Sequence, residues 1–437
     1  MLDREILRLA LPAMGALAAE PLYVLADTAI VGRLGTAELG GVGIAVTLIV
    51  TGYALFIFLA YGTTGAVARL LGAGERQRAA AQGVQSMWLA AGIGAGLGVV
   101  GLGLAGPLVD LLGADGDVRT HALTYFRISM VGLPSLTLVL AGTGYLRGLQ
   151  DTRTPLVVAV ATAAGNVALE LWLVFGLGWG VAGSAWSTVV AQAAGALAYT
   201  VVVGRDVRRL GVTIRPDRRA LVALGRLSIA LFVRTTALRL AIVVTTSTAA
   251  RMGTDDLAAH HIVFETFNFV ALTLDSVAIA AQAMVGRFLG AGDAAGARMA
   301  TRRMMQWGLT GGVVIGAAIL LARPVLPLVF TNDDRVATLA TFLLLHLALM
   351  LPLSGVVWTL DGILIGAGDL RYLAWAMAGA AAVFLSAVLA VDWLGLGIGW
   401  LWAALGLLQV ARFVALYGRW RGDAWVVTGA DRVAPTA

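Results

Sequence analysis

The second half of this 437-residue chain repeats the turn residues of its first half at a spacing of 218 positions. Arg33-Leu34-Gly35-Thr36 returns as Arg251-Met252-Gly253-Thr254, and Leu39 as Leu257. Arg69-Leu70-Leu71-Gly72-Ala73-Gly74-Glu75 returns as Arg287-Phe288-Leu289-Gly290-Ala291-Gly292-Asp293. Pro134, Gly144, Gly148, Asp151 and Arg153 return as Pro352, Gly362, Gly366, Asp369 and Arg371. The register holds without a gap, so the chain is two fused copies of one unit. Both copies are too apolar for water: 13% of residues are charged and mean hydropathy is +0.87, against about 25% charged in a soluble domain. Runs such as Leu89–Leu112 and Leu309–Phe330 exceed the roughly 20 residues that cross a bilayer core. A duplicated hydrophobic bundle has the organisation of a secondary transporter.

The expected fold is an all-α integral membrane protein with twelve transmembrane helices in two six-helix bundles. Approximate spans are 6–31, 42–70, 84–112, 121–147, 155–176, 181–204, 220–250, 257–289, 304–330, 337–366, 372–392 and 394–418. The domains are an N-lobe (1–204), a basic linker (205–219), a C-lobe (220–418) and a C-terminal tail (419–437). Six spans per copy is an even number, so both copies enter the membrane in the same sense. They are then related by a pseudo-two-fold axis along the membrane normal.

The net charge of +6 comes entirely from Arg, with no Lys, and the arginines sit in short loops between apolar runs. That pattern is a topology signal and excludes nucleic acid as a partner. With the N-terminus inside, roughly 23 arginines fall on cytoplasmic ends and about five outside. The linker Gly204–Arg219 carries Arg205, Arg208, Arg209, Arg215, Arg218 and Arg219, whereas outer loops carry acids such as Asp115 and Asp333. Both termini are expected in the cytoplasm and the protein in the cytoplasmic (plasma) membrane. The apolar stretch after Met1-Leu2-Asp3-Arg4 is too long for a signal peptide and counts as the first span. Absence of cysteine excludes disulfides and thiolate metal sites.

The repeat breaks down inside the membrane, where a charge costs about 2.5–3.5 kcal/mol on insertion scales. Asp27 and Glu170 have Thr245 and Val388 as repeat mates, so the acids are not duplicated. Asn166 and Glu170 lie four apart on one helix face. Glu170 and Thr188 are each nine residues from Trp179, at the turn between spans five and six, hence roughly 13 Å below it; Asp27 is roughly 9 Å below its own turn. Asp27, Asn166, Glu170 and Thr188 therefore converge in the outer half of one bundle. Two carboxylates, an amide and a hydroxyl suit either proton exchange or a small cation such as Na⁺ held by hard oxygen ligands. Pro12 and Pro21 interrupt the backbone ladder of span one and offer bending points. The second copy has its own set, Arg234, Arg239, Glu265, Asp275 and Asp361, whose opposite charges suggest an ion-pair network; a substrate or coupling role for Asp361 or Asp275 is the alternative.

Three further features carry little. Gly178-Trp179-Gly180-Val181-Ala182-Gly183 matches a dinucleotide fingerprint but follows a helix, not a strand. His260 and His261 are adjacent and point apart on a helix, unlike a metal pair. Trp393, Trp400 and Tyr417 sit at span ends, as interface anchors do.

The segment Arg147-Gly148-Leu149-Gln150-Asp151-Thr152-Arg153-Thr154-Pro155 resembles the loop after span four in the multidrug and toxic compound extrusion (MATE) family, on its DinF-like branch. Ala26-Asp27-Thr28-Ala29-Ile30-Val31-Gly32-Arg33-Leu34-Gly35 and Leu360-Asp361-Gly362-Ile363-Leu364-Ile365-Gly366-Ala367-Gly368-Asp369 extend the resemblance to nearly the whole chain. It implies that Asp27, Asn166, Glu170 and Thr188 form the family's N-lobe cation site and that Pro12 matches a proline associated with bending of helix one. DinF-like members often have Asp where this chain has Glu170, which leaves H⁺ and Na⁺ both open. The acid that NorM-like members carry on span seven is replaced by a helix bearing Arg234 and Arg239. The implied function is an ion-coupled (H⁺ or Na⁺) antiporter that exports amphiphilic, cationic organic compounds by rocking-bundle alternating access. It is not an enzyme; it has no cofactor beyond the coupling ion, and acts as a monomer in the lipid bilayer on a small organic substrate. The alternative is a flippase for a lipid-linked saccharide or other anionic lipid, which would use Arg234 and Arg239.

Overall fold

Apolar helices, most of them joined through glycine turns, make up the architecture of the described residues. A computed structural model describes residues 2–54 and 56–430, without the side chains of residues 53 and 54; the tail residues 431–437 lie outside it. In chain order the helices are α1 (Leu2–Val31), α2 (Thr36–Ala54), α3 (Phe58–Gly72), α4 (Arg76–Leu111), α5 (Gly116–Gly148), α6 (Arg153–Leu171) and α7 (Gly180–Leu210). They continue as α8 (Arg218–Met252), α9 (Thr254–Gly290), α10 (Ala294–Ala322), α11 (Asp334–Gly366), α12 (Leu370–Trp393) and α13 (Ile398–Arg421). Among the described residues, eleven helices are long and apolar enough to cross a membrane. The expected span 42–70 is instead divided into α2 and α3. Thr47 and Thr51 return their hydroxyls to the carbonyls four residues back at 2.8 and 2.7 Å, a pattern that bends helices, and Gly52 follows. The second copy has Glu265, Phe269 and Val270 at these places, and α9 runs unbroken.

The ninth span, expected over 304–330, also differs. Helix α10 stops at Ala322, and a short 3₁₀ turn follows at Leu326–Val329. Pro324 and Pro327 lack the donors that a continuing helix needs. Helix α7 runs on to Leu210, so part of the basic linker is helical. The rest lies along α4, where Gln77, Gln85 and Trp88 donate to the carbonyls of Leu210, Arg215 and Ile214 at 3.1, 3.0 and 2.8 Å.

The chain forms two compact units: Leu11–Ser228, and Met1–Ala10 with Ile229–Ala437. Helices α1 and α8 each contribute to both units. In the Leu11–Ser228 unit, Tyr125, Phe126, Met130 and Leu133 pack with Val31, Val42, Val181 and Ala185. In the other, α9, α11, α12 and α13 bury Leu274, Leu343, Leu347, Phe384 and Trp402. Its first ten residues are tied down by ion pairs of Asp3 with Arg303 at 2.6 Å and Glu5 with Arg287 at 2.7 Å. Beyond α13 the tail folds back: Trp425 is fully buried, and Gly429 N–H donates to the Leu289 carbonyl at 2.9 Å.

The glycine repeat is a repeat of helix crossings. A Cβ on Gly144 would stand 3.0 Å from Ala60 Cα, and one on Gly362 2.9 Å from Ala278 Cα, the same contact 218 positions on. Gly94 against Pro134 becomes Gly312 against Pro352, with Cα approaches of 2.6 and 2.8 Å. Gly74 and Gly292 both take φ +78°, which closes the turn before α4 and before α10 and is a conformation that glycine adopts without strain. Small residues that let helix backbones meet supply the packing that a membrane bundle cannot get from hydrophobicity. Gly144→Val and Gly362→Val are therefore expected to destabilise the protein by about 1–3 kcal/mol through overpacking. Gly96→Val, where nothing lies within 4 Å, is expected to be neutral. Thermal unfolding of the three variants in the same detergent checks this.

Candidate functional site

Three helices of the Leu11–Ser228 unit meet around Asp27. Helix α1 brings Asp27, 5% exposed; α6 brings Asn166 and Glu170 one turn apart, 3% and 0% exposed; α7 brings Ser184 and Thr188. Glu170 is the next-to-last residue of α6, which widens into a π-turn over Trp172–Gly176 before α7 begins. Such turns are frequent at functional sites, because one extra residue re-aims the side chains around it. Gly178 and Gly180, at φ +70° and +55°, complete the reversal, so the apparent dinucleotide fingerprint is a helix-to-helix turn.

The geometry sorts the oxygens into satisfied and orphaned. Ser184 Oγ donates to Asp27 Oδ1 at 2.5 Å. Asn166 Nδ2 donates to Thr188 Oγ1 at 3.4 Å. Tyr125 of α5 adjoins Thr188, and Glu170 faces Asp27 and Ser184. Asn166 Oδ1 and both Glu170 carboxylate oxygens are buried with no hydrogen-bond donor among the described residues. Neither Asp27 nor Glu170 belongs to an ion pair among the described residues. Two like charges about 4 Å apart repel by roughly 4 kcal/mol at an effective dielectric near 20. A pair of facing carboxylates with three orphaned acceptor oxygens is thus relieved by a bound cation, either a proton or a small metal ion.

Asn166 and Thr188 also line a cavity of about 220 Å³ in the same unit. Its apolar wall includes Leu136, Val139, Leu140 and Val158; its polar groups include Glu20, Tyr23, Tyr61, Arg147, Gln192 and Tyr199. Glu20, Tyr23, Tyr125 and Ser184 join these groups only in the structure. Glu20 meets the criterion that picked out Asp27, since its repeat mate is Leu238, but its place beside Pro21 hid it among the bending residues. Ser184 could have been found from its spacing: it precedes Thr188 by one turn, as Asn166 precedes Glu170.

Pro12 and Pro21 both lie inside α1. In the other unit the structure joins Arg234 to Asp361, with Nε donating to Oδ1 at 3.2 Å and Nη2 to Oδ2. Arg239 and Asp275 also have interaction partners, whereas Glu265 lies on an exposed face of α9. His260 is a packing residue: it is 2% exposed, lies 3.2 Å from Thr246 Oγ1, and its ring packs on Phe264 and Trp402.

The MatE family model matches residues 12–172 and again 232–391. The chain belongs to the MatE family. The two matches fall one on each copy of the repeat. The chain is 32% identical to Protein DETOXIFICATION 44, chloroplastic, of Arabidopsis thaliana, over 95% of this chain and 81% of that protein. It is 31% identical to DNA damage-inducible protein F of Escherichia coli (strain K12), over 96% and 92% of the two. A solved structure described as MATE in the bent conformation has the same fold, with a TM-score of 0.89 at 23% identity, covering 97% of this chain and 96% of that one. This MatE protein is accordingly a multi-pass membrane transporter of the efflux type for small organic compounds, not an enzyme, and its family needs no cofactor.

Ser184→Ala removes the hydroxyl that donates to Asp27. A hydrogen bond to a charged group is worth about 1.5–3 kcal/mol. Ser184→Ala is therefore expected to lower the stability of the protein by about that amount, checked by thermal unfolding in detergent against wild type.

Proposed function

We propose that the chain is an ion-coupled antiporter, exporting amphiphilic, cationic organic compounds as H⁺ or Na⁺ enters. One observation carries this: Asn166 and Thr188 belong at once to the Asp27–Glu170 ion pocket and to the wall of the organic-sized cavity. A change in the ion pocket therefore changes the cavity. With the pocket open to the outside, a cation neutralises the acid pair and satisfies the orphaned oxygens of Glu170 and Asn166. The segments of α1, α6 and α7 that hold these groups draw together, the cavity narrows and the substrate leaves. Pro12 and Pro21 provide the freedom in α1, whose first turns are held by Asp3–Arg303 and Glu5–Arg287. Return to the inward state releases the cation and restores the cavity.

Glu20 in the cavity wall supplies a counter-charge for a cationic substrate, and Tyr23, Tyr61 and Tyr199 supply ring faces for it. The driving force is adequate. One proton entering down about 100 mV and one pH unit delivers about 3.7 kcal/mol, enough to concentrate a neutral compound several hundred-fold. Exchange of one proton for one monovalent cation cancels the voltage term and leaves about tenfold; the second carboxylate of the pair permits a steeper stoichiometry. The arginine distribution supports cytoplasmic termini in the plasma membrane. Pocket and cavity both lie within one chain, so the monomer is taken as the working unit.

Asp27→Asn is expected to insert normally yet lose ion-driven efflux, assayed in proteoliposomes under imposed pH, Na⁺ and voltage gradients. Coupled transport at the wild-type rate in that variant would end the proposal. Glu20→Gln is expected to raise KM about tenfold or more for cationic substrates and to leave KM for neutral amphiphiles unchanged; equal shifts for both would remove Glu20 from substrate recognition.

A further inference from the structure

In the unit of Met1–Ala10 and Ile229–Ala437, one buried positive charge has no ion-pair partner among the described residues. Arg412, on α13, is 3% exposed. Its Nη1 donates to Gln409 Oε1 at 2.8 Å, and Gln409 is itself held, with Nε2 donating to Ser354 Oγ at 2.9 Å. Its Nε and Nη2 are buried and have no acceptor. The charged neighbour that acts on Arg412 is a second guanidinium, that of Arg234, which is already paired with Asp361. A buried, unpaired charge with unmet donors is among the least favourable arrangements a fold can hold.

The pattern of unmet donors identifies what would meet them. Nε–H and one Nη2–H lie along one edge of the guanidinium plane and donate in parallel. That edge fits the two oxygens of a carboxylate in a bidentate pair. The donor outside it, Nη1, is the one fixed by Gln409, so the plane is oriented and the fork is left open. A halide is spherical and gains less from two parallel donors.

We propose that Arg412 is the receptor of a carboxylate-binding site, which takes a small organic carboxylate side-on along its Nε–Nη2 edge while Arg234 adds positive field. The proposal does not depend on the acidic pocket around Asp27, and its readout needs no coupled transport. Bound carboxylate would balance the buried charge as Asp361 balances Arg234. It provides for solutes of opposite sign to those suited to Glu20.

The test is equilibrium binding of radiolabelled acetate to purified protein in lipid nanodiscs at constant ionic strength, with formate, chloride and sulfate as competitors. Wild type, Arg412→Lys and Arg412→Met are compared. Saturable binding of one acetate per chain is expected, at least tenfold weaker in Arg412→Lys, absent in Arg412→Met, and at least tenfold less sensitive to chloride than to formate. Arg412→Lys keeps the charge and loses the fork, so it locates the site even if Arg412→Met does not fold. Lack of saturable binding to wild type overturns the proposal, as does unchanged affinity in Arg412→Lys. Chloride or sulfate competing as well as formate overturns the carboxylate assignment. Arg412-dependent entry of label into proteoliposomes supports a carried anion, and binding without entry supports a resident one.

Discussion

Two carboxylates facing each other inside an apolar bundle, with no arginine to neutralise them, set the terms for the rest of this molecule. Asp27 is met by one hydroxyl, and Glu170 by no donor at all. The cavity shares Asn166 and Thr188 with the pair. In the proposed mechanism a cation relieves the pair, and its arrival changes the balance of forces among α1, α6 and α7 and so the space a substrate would fill. No long-range pathway is required; a common wall is sufficient.

The duplication keeps packing and abandons chemistry. Gly144, Gly94 and Gly74 retain their contacts or conformation at Gly362, Gly312 and Gly292, because a backbone-to-backbone crossing tolerates no side chain. Asp27, Glu170 and Glu20 give way to Thr245, Val388 and Leu238. The second copy has its own buried charges, Arg234 paired with Asp361 and Arg412 with an open donor edge. One scaffold therefore carries a different set of buried ionisable groups in each copy. Packing is preserved by geometry, whereas each ionisable group is kept or lost on the chemistry of its own pocket.

Most of the helical layout was legible in the sequence because apolar runs bounded by glycine and arginine leave few other folds inside a bilayer. The departures have local causes. Thr47, Thr51 and Gly52 divide the second span, and Pro324 and Pro327 end α10 early; average hydropathy across those segments conceals both breaks. The clustering of side chains was legible where it rested on helix periodicity and hairpin depth, as for Asn166, Glu170 and Thr188. Glu20 and Ser184 were missed because one sat next to a proline with its own explanation and the other is a common small residue in a tightly packed helix. Arg412 gives no such signal in the sequence: its burial depends on the neighbouring helices, with Gln409 fixing Nη1 and Ser354 holding Gln409.

The sequence by itself determined that this chain is a duplicated membrane bundle, that most of its turns carry glycine, and that Asp27 and Glu170 have no acidic counterpart in the second copy. Those properties depend on residue type and spacing along a helix, which are local. Only the tertiary structure decided which oxygens were left without donors, that a cavity shares its wall with the acid pair, and that one arginine keeps an edge open beside another. Hydrogen-bond satisfaction depends on which atoms from distant helices meet, and spacing along the chain does not contain that information.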